Sequence, residues 1–536
     1  MKNNYSLFVL TIVLLISQFL LSQNLFNTYH MNLTEYNKML NKQPDLDIDF
    51  IREKTQFFSL NNEALQKILN NQQSKLIIQI PFFNKAPLSI NMNLFQINKQ
   101  DIEIRRNTGH GVKTDYYSPN MLTYRIQDDV NNITGTFIFS QKGVKAVFNI
   151  EDQTYQVDLL NQTNNIYFML KVQDSPIKLD FHCSHNILNQ TQQEIDVQNL
   201  RQGNVFGCLD IALEIDYYTM QSFDNYQESI DWALEMLAVA SSFYFVEIGV
   251  ELTSSFIQTW EIADPYLDFI EEPNNMLFAI RDYWNNQEEL SMIDRSLVHL
   301  LSKRDNTGTG GIAFLNGINS SWNGYGFSSN LTDIEEYAEL PVPYFFWNIY
   351  CLMHELGHNF GAKHTQWCGW PSGPIDNCVN IEEMAAGECT GYTNDPEPQV
   401  GTIMSYCHMW TAQVGGGIIM KFHDIVKNTI IAYMGLQNLI DCNELDNVSI
   451  EEDVFTTNSE MVLYPNPAND YIRIKTDNLL VDSKSLTIIN SIGQIVVQKA
   501  NIDMDEEIDI SSISKGRYMA YIITDSRIIK ENIIIQ

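Results

Sequence analysis

The sequence predicts an α/β (α+β) central domain, preceded by a β-rich region and followed by a small C-terminal β-sandwich. Three observations lead there. From about Gly207, apolar strand-like runs alternate with helical periodicities, the pattern of an α/β layer. Between residues 24 and 205 the chain carries short runs of branched and aromatic residues broken by Asn, Gly and Asp. From 461 to 536 it carries short alternating strands and turn residues. A length of 536 residues exceeds one ordinary core, so several domains are expected.

Taken in order, the chain opens with MKNN and an apolar run, LFVLTIVLLISQFLL, from Leu7 to Leu21. A charged start, an apolar core and a polar exit, Ser22-Gln23, read as a signal peptide over residues 1–23; an uncleaved anchor is the alternative. In 24–205, KLIIQI, NITGTFIFS, KAVFNIEDQTYQVDLL and NIYFMLKVQ read as strands, with no cluster of catalytic residue types among them. In 206–445, CLDIALEIDYYTM reads as a buried strand and IGVELTSSFIQTW as a second. Between them ESIDWALEMLAVASSFYF has helical spacing, with Trp232, Leu234, Leu237 and Ala238 on one face. LVHLLSKR and GGIAFL are strand-like, and VPYFFWNIYCLMHELGHNF is a long apolar helix pattern. Residues 446–460 form an acidic linker by composition. The last unit, 461–536, places turns at Pro-Asn-Pro and Ile-Gly-Gln.

Lys plus Arg is 33 and Asp plus Glu is 66, a net charge of −33. Such a surface repels phosphate backbones, so no nucleic-acid partner is expected. Beyond the leader no segment reads as apolar over the 18 or more residues of a membrane helix, so the mature protein is expected to have no membrane span. The eight cysteines are Cys183, Cys208, Cys351, Cys368, Cys378, Cys389, Cys407 and Cys442. In an exported chain an even set reads as disulfides, with connectivity left open.

The chemistry concentrates in HELGHNFGAKH. His354 and His358 are i and i+4, one turn apart on one helical face, where two imidazoles can share a metal. Glu355, beside the first ligand rather than on the metal, is placed to take a proton from water. Gly361 allows the helix to stop and turn, bringing His364 round as a third ligand. Three neutral imidazoles hold Zn2+ and leave a fourth position open, the layout of a catalytic site.

HExxHxxGxxH, with GTIMSYCH downstream, resembles the metzincin zinc metallopeptidases. The resemblance implies a Met-turn at Met404 beneath the metal. Tyr406, two residues on, reads either as an extra, movable zinc ligand, as in the astacin-like and serralysin-like branches, or as a packed core tyrosine. From about Cys208 to Cys442 the order of LVHLLSKR, GGIAFLNG, zinc helix and cysteine-rich segment is similar to the reprolysin (adamalysin-like) family. That implies an edge strand at Gly311, Ile312 and Ala313, through Leu315, against which an extended peptide substrate pairs; an ordinary core strand is the alternative. Reprolysins usually place Asp after the third histidine, whereas this chain has Thr365.

On this resemblance, 24–205 is a β-rich propeptide and 206–445 the metzincin catalytic domain. Cys183, in DFHCSHN, is a candidate cysteine switch, its thiolate covering the zinc. A Cys183–Cys208 disulfide, or a separate metal site from His182, Cys183 and His185, are the alternatives. YPNPANDYIRI, NSIGQIV and SSISKGRYMAYII resemble the type IX secretion sorting domain, against a generic β-sandwich adhesion module. The expectation is therefore a secreted zinc-dependent endopeptidase, made as a zymogen. It would hydrolyse peptide bonds of a peptide or protein substrate through a zinc-activated water. Passage through periplasm and outer membrane by the type IX machinery would deliver it to the cell surface or medium. A catalytically silent secreted binding protein on the same fold is the competing expectation.

Overall fold

The computed structural model describes residues 25–42, 48–98, 101–128, 131–175, 207–269, 271–332, 339–381, 384, 387–410, 417–437, 439, 442, 462–475, 484–490, 495–499, 502, 506–511, 513–524 and 528–536. The leader 1–23, the linker and Cys183 with its neighbours lie outside them. The described chain divides into two units, one ending before Val448 and one formed from Val448 onward.

The first unit begins with a nine-stranded antiparallel sheet. Its strands are β1 (Phe26–Thr28), β2 (Thr55–Leu60), β3 (Lys75–Ile80), β4 (Leu88–Phe95), β7 (Met121–Asp128), β8 (Ile133–Ser140), β9 (Gly143–Ile150), β10 (Gln153–Asn161) and β11 (Ile166–Lys171). Their spatial order is β1-β2-β11-β10-β9-β8-β7-β4-β3. Successive side chains point to opposite faces, and here both faces are buried. Phe137, Phe139, Phe148 and Tyr167 enter one core, while Ile138, Val147, Phe168 and Leu170 enter another. That is why these segments read as nearly continuous apolar runs. KAVFNIEDQTYQVDLL is two strands, with the turn at Glu151-Asp152. Three helices escaped the strand reading: α1 (Leu33–Lys42), α2 (Ile48–Glu53) and α3 (Asn62–Asn71). The last is capped by Asn61, whose Oδ1 accepts from Glu63 N at 3.0 Å and Ala64 N at 3.2 Å.

The second sheet runs β16-β17-β15-β12-β14-β5-β6. It contains β12 (Gly207–Ile215), β14 (Phe256–Trp260), β15 (Leu297–Leu301), β16 (Gly311–Ala313) and β17 (Tyr325–Ser328), with β13 (Val250–Thr253) pairing on β12. Its last two strands, β5 (Ile102–Thr108) and β6 (Gly111–Tyr117), come from the N-terminal region. They form a hairpin inserted between β4 and β7, which pair directly with each other in the first sheet. The two sequence regions thus share one sheet, and the segment joining them, 176–206, lies outside the described residues.

Two strand readings are shortened. CLDIALEIDYYTM leaves the sheet at Ile215, because Asp216 Oδ1 accepts from Thr219 N at 2.8 Å and starts a helical turn. IGVELTSSFIQTW breaks at Ser254-Ser255, where Ser254 N donates to Ile97 O at 3.0 Å and Ser255 N to Asp210 Oδ1 at 2.8 Å. The helical pattern around Trp232 is α4 (Tyr226–Ile248), closed by Gly249 at φ 77°. It is long and apolar enough to cross a membrane, contrary to the sequence expectation for the chain beyond the leader. Even so, 83% of its most apolar stretch is buried, in one core with Ile138 and Val147 of the first sheet and Leu209 and Leu252 of the second. α5 (Pro273–Asn286), α6 (Tyr344–Asn359) and α7 (Asp424–Met434) complete the packing.

The second unit has its own core around Leu463, Ile472, Leu486, Ile488 and Ile533. Among the described residues seven strands build it: β20 (Val462–Tyr464), β21 (Tyr471–Lys475), β22 (Lys484–Asn490), β23 (Ile495–Lys499), β24 (Ile508–Asp509), β25 (Gly516–Thr524) and β26 (Ile528–Ile535). They make two sheets, ordered β20-β21-β24 and β23-β22-β25-β26. Two further short strands, β18 (Val400–Gly401) and β19 (Gly417–Ile418), pair beside the site in the first unit.

Candidate metal centre

Helix α6 is buried along its whole length. Its first turn is met from the N-terminal sheet, where Gln156 Oε1 accepts from Phe346 N at 2.8 Å. It stops after Asn359, and Gly361 turns the chain at φ 87°. A Cβ at 361 would lie 2.7 Å from Asn316 Oδ1 and 3.3 Å from Tyr433, so both the conformation and the space demand glycine. The turn is fastened by Gly361 N donating to His358 O at 2.9 Å and Ala362 N to Gly357 O at 2.8 Å.

The turn brings His364 back to its two partners. His354 Nε2 and His364 Nε2 lie 3.1 Å apart, and His358 Nε2 and His364 Nε2 3.2 Å. The other ring nitrogens fix the tautomers. His354 Nδ1 donates to Ile403 O at 2.8 Å and His358 Nδ1 to Ala362 O at 2.8 Å. Carbonyls only accept, so Nδ1 carries the proton and Nε2 presents a lone pair. Burial also depresses the His358 pKa to about 4, keeping that ring neutral. Lone pairs converging at 3.1–3.2 Å repel one another unless a cation lies among them. Tetrahedral ligands at Zn–N distances of roughly 2.0–2.1 Å stand about 3.3 Å apart, so the donor set fits zinc. The three histidines are buried, His354 and His364 completely.

Around this triad the predicted residues fall as follows. Glu355 lies against β16, because a Cβ on Gly311 would come within 2.6 Å of Glu355 Cγ and Oε1. Gly311, Ile312 and Ala313 form β16, antiparallel to β17 and at the end of the sheet. Met404 is fully buried under the helix, where Gly357 makes room; a Cβ there would sit 2.5 Å from Met404 Sδ. Tyr406 OH is 3.0 Å from His364 Nε2, and its ring stacks on His354 with centroids 5.8 Å apart. Thr365, the departure from the reprolysin pattern, ties the two halves of the site. Its N and Oγ1 donate to Met404 O at 3.0 and 3.2 Å.

The cysteines correct one expectation. Cys208–Cys442, Cys368–Cys389 and Cys378–Cys407 are bridged. The alternative Cys183–Cys208 bridge is therefore overturned, since Cys208 is bonded to Cys442 at the far end of the segment. Cys351 is a free, buried thiol one turn before Glu355, its Sγ 3.0 Å from Gly310 O. Burial pushes its pKa well up, so it stays protonated and packs as a small apolar group.

Two partners carried no sequence signal. Glu388 Oε1 lies 3.4 Å from His364 Nδ1 and accepts from Gln366 Nε2 at 2.8 Å. It sits 24 residues from His364, beside the Cys368–Cys389 bridge, and no spacing announces it. Asn359 Nδ2 donates to Phe314 O at 2.8 Å and Tyr325 O at 3.1 Å, tying α6 to the strands at the sheet's end.

Two family models match parts of the chain. Residues 208–414 match the model of metallo-peptidase family M12. Residues 462–536 match that of a secretion system C-terminal sorting domain. These two matches bear out the resemblance drawn from the motifs. No curated protein matches the chain. Among solved structures, metalloproteinase-II from Bacteroides fragilis is similar at 12% identity, covering 57% of this chain and 87% of that one, with a TM-score of 0.32. A chaperone–substrate complex is similar at 12% identity, covering 56% of this chain and 40% of that one, with a TM-score of 0.25.

Proposed function

We propose that this protein is a secreted zinc-dependent endopeptidase made as a zymogen. The observation that carries the reading is the convergence of three Nε2 lone pairs at 3.1 and 3.2 Å beside Glu355. His354, His358 and His364 would hold the ion. Bound zinc supplies a Lewis acid that polarises the scissile carbonyl and lowers the pKa of water toward neutrality. The Glu355 carboxylate accepts the proton of the attacking water and returns it to the leaving amine. An extended substrate would pair along β16, the end strand of the sheet among the described residues, with its carbonyl beside Glu355. Tyr406, whose OH lies 3.0 Å from His364 Nε2, would serve as an extra, movable zinc ligand, with a packed core tyrosine as the alternative.

The domain reading joins this proposal: leader 1–23, propeptide 24–205, catalytic segment 206–445, linker 446–460 and sorting domain 461–536. Export through the periplasm and outer membrane by the type IX pathway follows from the last. Cys183 is the proposed latency thiol. With Cys208 bonded to Cys442, its thiol is not consumed there, which supports the switch over the disulfide. Alkylation of the unprocessed chain before and after zinc chelation tests it: chelation should expose one more reactive thiol, and no change would exclude the switch.

The central experiment is casein-type proteolysis by wild type, by Glu355→Ala, and by wild type with a chelator. Wild type should cleave, and both perturbations should reduce cleavage by at least about 1,000-fold, within the range that loss of a catalytic group costs. Cleavage unaffected by either would discard the peptidase reading. Zinc bound at one equivalent with no cleavage by wild type would favour the silent binding protein.

A further inference from the structure

The N-terminal region is built into the fold of the metal-ligand segment. Strand β5 pairs with β14 in parallel from Glu103↔Phe256 to Asn107↔Trp260. Backbone bonds continue the ladder at both ends, Glu103 N to Ser255 O and Glu261 N to Asn107 O, each 2.9 Å. Buried side chains fasten it: Arg105 donates to Gln258 Oε1 at 2.8 Å and Asn107 Nδ2 to Thr259 O at 3.1 Å. Ile102 and Ile104 are completely buried in the same core as Leu209, Leu213 and Ile257.

The contact continues well beyond the hairpin. Arg125, on β7, is buried against Glu251 at 2.7 Å, with its guanidinium 4.4 Å from the Phe95 ring and 4.0 Å from the Phe245 ring. Lys145 pairs with Glu235 at 2.7 Å. Near the Met-turn, Asn149 Nδ2 donates to Met420 O at 2.9 Å and Met420 N to Thr154 Oγ1 at 3.0 Å.

Removing residues 25–175 would leave β14 as a bare edge with unpaired backbone groups. It would also strip a largely buried Glu251 of its cation and open an apolar face of the core. A main-chain ladder, a desolvated ion pair and a continuous core are the marks of a permanent interface. None of these contacts needs the covalent connection through 176–206.

We infer that residues 25–175 stay bound as a non-covalent subunit after the chain is cut between 176 and 206. The inference rests on the proposed function only in expecting such a cut. The N-terminal region is then a resident partner of the peptidase rather than a discarded propeptide.

A recognition sequence for a specific protease, placed within 176–206 of the full-length chain, tests this. After cutting, both fragments should co-elute in gel filtration and appear as one complex in native mass spectrometry. This should hold at about 0.15 M and about 1 M salt, since the interface is mostly buried from screening. They should part only in denaturant. Separation without denaturant at either salt overturns the inference. Should the site resist cutting, hydrogen exchange on the intact chain decides. Amides of β5, β14 and β12 opening as one cooperative unit support it; β5 amides exchanging 100-fold faster than those of β12 overturn it. Neither readout uses proteolysis, so an inactive but associated pair would discard the peptidase reading alone.

Discussion

His364 differs from its two partners in how its second nitrogen is held. His354 and His358 donate to backbone carbonyls, whereas His364 Nδ1 faces the Glu388 carboxylate at 3.4 Å. A carboxylate behind a ligating imidazole fixes the ring and raises its basicity. Glu388→Ala should therefore weaken zinc binding by about 10- to 100-fold, read by competition with a metallochromic chelator. Zinc-free melting temperature should change little, which would separate this from a general loss of fold. Elsewhere, His299 tests how burial couples to pH. Its pKa is lowered to about 3 by desolvation, with Nε2 bonded to Ser328 Oγ at 2.9 Å. A folded pKa below the unfolded one means stability is complete above about pH 6.5 and is lost as pH falls toward 3, by up to about 1.4 kcal/mol per unit. Asp158 and Asp210, raised to about 6 chiefly by burial, act oppositely and lose stability as pH rises from 4 toward 6. Denaturant titrations of wild type and His299→Gln should show a shallower acid loss in the variant. Equal slopes would discard the buried-histidine account.

Among the elements, the end of α6 is the most exacting. Gly361 combines a positive φ with no room for a methyl group. Gly361→Ala should cost on the order of 1–3 kcal/mol, read from chemical denaturation. Zinc affinity should fall as well, since His364 is placed by that turn. This helix was also the most legible part of the chain. HELGHNFGAKH states its candidate ligands by spacing alone, and an apolar run of α6's length needs no tertiary information to be read as a helix. The hairpin β5–β6 was not legible, because IEIRRNT and GVKTDYY look like any amphipathic pair. Their place in the other sheet shows only in the pairing of β5 with β14, while β4 and β7 close directly on each other. Glu388 failed for a related reason: its partner is set by a disulfide and a loop path, which no local period records.

Over the whole first unit, Cys208–Cys442 ties β12, the first strand after the undescribed 176–206, to a residue 234 positions further on. Long closed loops gain most from such a link in the chain-entropy account, on the order of 4–5 kcal/mol. The double variant Cys208→Ser, Cys442→Ser, compared with wild type without reductant so that the other two bridges stay closed in both, should lower the unfolding midpoint in guanidinium. The disulfide expectation was readable as a class from the even cysteine count, but Cys351 broke it. Its place inside α6 leaves it without a disulfide partner among the described residues.

The inserted hairpin also sets an order of events. Glu103–Asn107 and Phe256–Trp260 are neighbours in the sheet although about 150 residues lie between them. Pairings so distant in sequence are slow, because a long loop must close before any contact rewards it. The N-terminal strand emerges first and must wait for β14, while β14 stays a sticky open edge until they meet. Synthesis from residue 206 alone would then yield a chain whose sheet has no natural stopping point on that side. Its expected fate is edge-to-edge aggregation rather than a slow but soluble recovery.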